Sequence, residues 1–282
     1  MAPIKIFTDS TNDLNQKYLD ENEIGVVPLY VIFGEDSYRD GVDITTEELY
    51  RKVEQTGKLP KTAAPSPADF DRAFRPFIEQ GYDIVYIGLS SEMSSTYQNA
   101  KLAAELLEED RITIIDSRNL ATGIGILVCK AVEAVKQGQS PAEIEALIYS
   151  CIPRVSTEFI IDTLDYLHKG GRCSGVQAFF GSLLKIRPVV QVKEGKMILT
   201  SKVRGKREKA LEQLINNTLD FKHAMDPDVL FVTHSMAREE AELVRKQLLE
   251  QTGVKRVEIT ETGCVVSSHC GPQTVGIVYI KS

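Results

Sequence analysis

The sequence contains no Cys-x-x-Cys pair. Its five cysteines, Cys129, Cys151, Cys173, Cys264 and Cys270, are odd in number and widely spaced. That argues against a disulfide framework and against a cysteine-based zinc site, so each reads as a small packed apolar residue. No G-x-x-x-x-G-K-[ST] phosphate loop occurs, and neither does an HExxH pair nor a carboxylate-rich metal loop. No nucleotide site, catalytic residue or metal is therefore expected. Two near misses lack a decisive glycine. Gly123-Ile124-Gly125 has Val128 where a dinucleotide fingerprint needs its third glycine, and it reads as close packing in the middle of a helix. Gly88-Leu89-Ser90-Ser91-Glu92 has Glu92 in place of the last glycine of a nucleophile elbow.

Basic excess is missing too. The 33 Lys and Arg against 40 Asp and Glu leave a net charge of -7, which makes nucleic acid a poor partner. No apolar run reaches the length of a membrane span. The opening MAPIKIFTDST reads as a strand and a turn, so no signal peptide is expected and the compartment is expected to be the reducing cytoplasm. With 43% hydrophobic and 26% charged residues, the chain has enough apolar content to fold. Its 282 residues suit two packed lobes better than one core.

The first half alternates strand and helix patterns. Residues 4–7, 26–33, 83–89 and 112–116 are short apolar runs. Helices are expected from Thr45-Thr46, from Pro65-Ser66-Pro67 to about residue 80, up to about 109, over 121–137, and from Ser140-Pro141. This alternation predicts a mostly parallel sheet with flanking helices. The second half mixes patterns. It holds a strand at 159–163, a short helix ending at Gly170-Gly171, a hairpin around Lys193-Glu194-Gly195-Lys196, and further strands at 229–233, 257–260 and 275–280 between helices over 206–219 and 239–251. An α/β fold of two lobes is expected. The N-terminal lobe, 1–153, is mostly parallel; the C-terminal lobe, 154–282, is α+β with a mixed or antiparallel sheet.

Ligands of parallel sheets collect beyond the carboxyl ends of strands. Three hydroxyl-rich segments stand there: Thr8-Asp9-Ser10-Thr11, Ser90-Ser91-Glu92-Met93-Ser94-Ser95-Thr96, and Asp116-Ser117. Helix capping explains part of each, but the second carries more hydroxyls than a cap requires. Hydroxyls at a helix N-terminus can bind an anion without a lysine. The segment Ser267-Ser268-His269-Cys270-Gly271-Pro272 reads as a loop whose Gly-Pro turn aims an imidazole. A structural role for that histidine and a binding role remain equally open on these residues alone.

The order and spacing of nine segments resemble the DegV family over nearly the whole chain. They are FTDSTNDL (7–14), VPLYV (27–31), DGVDIT (40–45), KTAAPSPADF (61–70), SSEMSSTYQNA (90–100), IDSRNLATGIGIL (115–127), LDYLHKGGRCS (164–174), LLKIRPVV (183–190) and HCGPQTVGI (269–277). The resemblance implies a long-chain fatty acid held in an apolar tunnel between two lobes. It further implies a non-catalytic, lipid-binding subunit of a bacterial fatty acid kinase. A separate ATP-binding kinase subunit would phosphorylate the carboxylate, and the acyl phosphate would enter phospholipid synthesis. By motif position, Thr62, Ser94 and His269 would hold the carboxylate. Arg172 would meet the phosphoryl group or the kinase, and Arg204 would belong to the partner surface. The competing roles are helix caps for Thr62 and Ser94, a structural hydrogen bond for His269 and surface charge for the arginines. The fatty acid is the ligand and no cofactor is implied; a monomer with transient membrane contact is expected. A stand-alone phosphotransferase using His269 covalently and a lipid-sensing regulator remain the alternatives. The chain departs from the family's SSGLSGTY at Glu92 and Ser95, has Ala63-Ala64 after Thr62, and reads HCGPQ instead of HTGPG. Cys270 beside His269 is either a packed thiol or an oxidation-sensitive one.

Overall fold

The computed structural model describes residues 2–107, 110–162, 164–174 and 186–282. In the first half, β1 (Ile4–Asp9), α1 (Gln16–Glu21), β2 (Gly25–Val27), β3 (Tyr30–Phe33), β4 (Asp36–Arg39), α2 (Thr46–Thr56) and β5 (Lys61–Ala63) come first. Then follow α3 (Pro67–Glu79), β6 (Asp83–Gly88), α4 (Thr96–Leu106), β7 (Ile112–Asp116), α5 (Thr122–Lys136) and α6 (Pro141–Cys151). In the second half, β8 (Val155–Ile160), α7 (Leu164–Gly170), β9 (Cys173–Ser174), β10 (Ile186–Lys193), β11 (Lys196–Arg204) and α8 (Arg207–Leu219) precede β12 (Val229–Ser235). The chain ends with α9 (Arg238–Thr252), β13 (Arg256–Glu261), α10 (Cys264–Cys270) and β14 (Thr274–Ile280).

Three sheets result among the described residues. The first is fully parallel, in the order β2-β1-β6-β7. Both its faces are covered, as parallel sheets require. Phe7, Ile84 and Tyr86 face α3 and α4 (Phe70, Phe74, Ala100), while Ile6, Val85 and Ile87 face α5 and α6. The second sheet is mixed, in the order β13-β12-β14-β8-β10-β11-β9. Alternate residues of its strands pack under α8 and α9 (Ile160, Val232, Ile277 against Leu214 and Val244). The other set, including Phe159, Val190 and Val278, joins the core built on α5. Helix α5 is buried at every position from Thr122 to Cys129, because this part lies between the two sheets; its charges, Lys130, Glu133 and Lys136, are confined to the second half. The third sheet, β4-β3-β5, is small and antiparallel.

Helices α2, α3 and α6 begin with the capping boxes Thr45/Glu48, Ser66/Asp69 and Ser140/Glu143, at the starts expected from sequence. Three expectations are corrected. The apolar run 26–33 is two strands in two different sheets, divided at Pro28, which has no N–H to donate to a ladder. Gly123 and Gly125 stand in the first turn of α5, not mid-helix. The reason given for them holds: a Cβ on Gly125 would lie 2.7 Å from the Asn12 carbonyl. The third correction is that Ser267–Cys270 is helical, not loop: it forms the end of α10. The strand expected at 159–163 is also displaced: β8 starts at Val155 and ends at Ile160, leaving Ile161 and Asp162 outside it. Residue 163, residues 108–109 at the expected helix end, and residues 183–185 of the LLKIRPVV segment lie outside the described residues.

Candidate functional site

Serine, cysteine and valine are indifferent helix formers, so α10 owes its existence to tertiary contacts. Its N-cap, Gly263, has no side chain to offer. Two carboxylates from the first half of the chain replace it. Gly263 N donates to Asp13 Oδ1 at 2.9 Å, and Cys264 N donates to Asp40 Oδ1 at 2.7 Å. Asp40 is 2% exposed and also accepts from Ser10 Oγ at 2.9 Å. Negative charge at these orphan N–H groups satisfies both the hydrogen bonds and the helix dipole. Burial pushes the Asp13 and Asp40 carboxyls upward from the ordinary range. The nearby Asp9 accepts from Thr11, Tyr86 and Leu89 N, tying β1 to the end of β6.

Helix α10 stops at Gly271, whose φ of 77° suits glycine, and so leaves His269 in its last turn. Thr62 reaches the same place from the other side. It sits on β5, paired with Val31 of β3. Thr62 Oγ1 and His269 Nε2 are 3.0 Å apart and hydrogen-bonded, the donor being set by the imidazole tautomer. The other ring nitrogen, Nδ1, is buried and has no hydrogen-bond partner among the described residues. Burial, then the charge of Arg172, pulls the imidazole down to about 4, so it is neutral at pH 7.

Ser94 and Arg172 complete the group. Ser94 Oγ shares a hydrogen bond with Thr96 Oγ1 at 2.8 Å and accepts from Thr96 N at 3.3 Å. It thus satisfies the first N–H of α4, which begins at Thr96 behind the N-cap Ser95. Arg172 follows α7 and donates from Nη1 to the Gly170 carbonyl at 2.7 Å.

Thr62, Ser94, Arg172 and His269 all line one cavity of about 310 Å³. Most of its wall is apolar, supplied by Leu29, Leu89, Met93, Leu120, Phe159, Leu167, Met197, Val265 and Val266. The wall thus draws on both sheets and on α10. Buried threonines add polarity to it: Thr157 is satisfied by Asn119, whereas Thr233 Oγ1 has no partner among the described residues. Among the described lining residues only Glu158 and Arg172 carry charge. The Glu158 carboxylate accepts from Gln191 and Asn217. Such a site offers neutral donors and one cation in the wall of a mostly apolar chamber, which fits an amphipathic anion.

The structure brings four of the five expected residues together. Arg204 ends β11 as an exposed residue and is not among those lining the cavity. Sequence reasoning missed Asp13, Asp40 and Gly170. All three stood in segments quoted for the family, but only contacts with α10 give them a role. Cys270 is buried and its thiol is pushed up to about 12 by that burial, which makes it a packed thiol and a poor nucleophile. The five cysteines are all unbridged. No helix among the described residues is long and apolar enough to cross a membrane.

Two sheets around a mostly apolar chamber, with neutral donors and one arginine in its wall, define an α/β binding protein. The chain belongs to the DegV family, whose profile, described as "Uncharacterised protein, DegV family", matches residues 3–282. A DegV domain-containing protein of Clostridium perfringens is 33% identical over 281 residues, covering 100% of this chain and 99% of its own. A Thermus thermophilus DegV family protein, solved for its fatty acid binding, is 32% identical with a TM-score of 0.93 and complete coverage of both chains. A stearic acid-binding protein of Eubacterium ventriosum is 28% identical, with a TM-score of 0.88 over 99% of this chain and 98% of its own.

Proposed function

We propose that this protein binds a long-chain fatty acid, with the acyl chain in the cavity and the carboxylate at Thr62, Ser94 and His269. The observation that carries the reading is the neutral Thr62–His269 pair in the wall of a mostly apolar chamber. Fatty acid binding by the Thermus relative supports it. Each buried CH₂ contributes roughly 0.8 kcal/mol. A long chain then gains on the order of 10 kcal/mol before ordering costs. Affinity comes from the chamber, and the head group needs only orientation. Neutral donors orient a carboxylate without neutralising it, so it stays nucleophilic for attack on phosphorus.

In this reading the chain is the non-catalytic, cytoplasmic lipid-binding subunit of a fatty acid kinase. It presents the carboxylate to a separate ATP-binding subunit, and the acyl phosphate formed supplies phospholipid synthesis. Arg172, on the cavity wall, meets the incoming phosphoryl group, and the exposed Arg204 belongs to the docking surface. The ligand lies between lobes 1–153 and 154–282 of a monomer that touches the membrane transiently.

Mass spectrometry of lipid extracted from the purified protein tests the binding step. A near-equimolar long-chain free fatty acid is expected. An empty protein that also takes up no added fatty acid would overturn the reading. The kinase step is tested with ATP: acyl phosphate is expected only when an ATP-binding partner captured from bacterial lysate is added. Acyl phosphate from this chain and ATP alone would make it a phosphotransferase instead.

A further inference from the structure

The serine-rich loop after β6 is held to the β10–β11 hairpin by a group of contacts independent of the head-group site. Glu92 Oε2 lies 3.2 Å from Lys196 Nζ, and Glu92 Oε1 lies 3.3 Å from Arg118 Nη1. Arg118 also faces Asp116 at 3.8 Å and donates from Nη2 to the Glu194 carbonyl. Ser90 Oγ donates to the Gly195 carbonyl at 2.8 Å. The hairpin tip is shaped for this approach. Gly195 has φ 82°, and a Cβ there would stand 2.6 Å from Ser90 Oγ.

The residues after the two main partners give the group its meaning. Met93 follows Glu92 and Met197 follows Lys196, and both methionines line the cavity. One charged contact between distant parts of the chain therefore sits beside two flexible, polarizable wall residues. The first half of the chain contributes one side of this seam and the second half contributes the other.

We propose that Glu92, Arg118 and Lys196 form a strap across a portal between the serine loop and the β10–β11 hairpin, and that the strap sets the rate at which acyl chains enter and leave. The proposal rests on the fatty-acid reading above. The three side chains are 35%, 35% and 59% exposed, so each pair is individually weak and sensitive to salt. A weak strap suits a portal, since it must open during exchange and close afterwards. Its strength appears in ligand kinetics and not in the stability of the fold.

Stopped-flow release of cis-parinaric acid, displaced by excess oleate, tests this in the full chain. E92Q and K196M should each raise the release rate about two- to fivefold at low salt, the range that exposed ion pairs support. The double variant E92Q/K196M should release no faster than E92Q, because both substitutions break the same contact. High salt should bring wild type and variants together, and thermal midpoints should stay unchanged. Folded variants that bind the probe and release it at the wild-type rate would overturn the strap. Equal acceleration at all salt concentrations would overturn it as well. A wild-type protein that takes up no cis-parinaric acid would instead sink the fatty-acid reading, and the strap's role with it.

Discussion

The space beside Nδ1 of His269 is kept open by Gly170: a Cβ on residue 170 would lie 2.3 Å from that nitrogen. Gly170 ends α7 and its carbonyl accepts from Arg172. One residue thus sets how closely α7 approaches the imidazole and also anchors the arginine beside it. Gly170 has no positive φ, so its requirement is room and not backbone conformation.

Gly170→Ala should accordingly damage the site while leaving the fold intact. Alanine favours a helix over glycine by roughly 1 kcal/mol. The added methyl must push His269 away from Thr62. Affinity for fatty acid should fall about tenfold, equivalent to ~1.4 kcal/mol, without loss of thermal stability. Fluorescence titration and thermal denaturation together check it; unchanged affinity would mean that the imbalance is absorbed elsewhere and His269 does not hold the carboxylate.

Thr62→Val removes the hydroxyl and keeps the shape. It leaves His269 with both ring nitrogens unpaired in a buried setting. A net hydrogen bond is worth about 0.5–1.5 kcal/mol, so fatty acid affinity should drop roughly three- to tenfold. Titration against a fatty alcohol of the same chain length supplies the control, because the alcohol depends less on a carboxylate contact and should lose less.

The lowered His269 value predicts a pH dependence of stability. In the native protein the imidazole titrates at about 4, against an ordinary value of 6.5. Between those values the unfolded chain binds a proton that the native protein does not, so stability declines as pH falls from 6.5 to about 4. Above that window the His269 contribution is constant. Urea unfolding at closely spaced pH, compared between wild type and His269→Gln, isolates it: the variant should show the shallower slope.

Asp40→Ala tests the cap on α10. It strips the acceptor from Cys264 N and Ser10 Oγ at a buried position. The loss should be about 1–3 kcal/mol in unfolding free energy, with faster amide exchange along α10. Asp40→Asn keeps one acceptor oxygen and should recover part of both effects. Identical behaviour of the two variants would remove the capping role.

Strand–helix alternation in the first half is a local pattern, and the parallel sheet could be anticipated from it. The helix starts at Thr45, Ser66 and Ser140 were equally legible, because the caps found there join residues three apart. Thr62, Ser94, Arg172 and His269 were nominated by motif resemblance, yet nothing local to them says that they meet. Their meeting depends on pairings such as Thr62 with His269, 207 positions away. Helix α10 was misread for the same reason: its caps, Asp13 and Asp40, lie 250 and 224 positions from the N–H groups they satisfy. By itself the sequence determined the alternation of elements, the helix starts and the chemical types available for a head-group site. Only the tertiary structure decided which strand ends face one chamber, what closes it and why residue 170 must be small. Periodicity and capping are short-range, whereas cavities and buried charges are made by surfaces that touch only after the chain has folded.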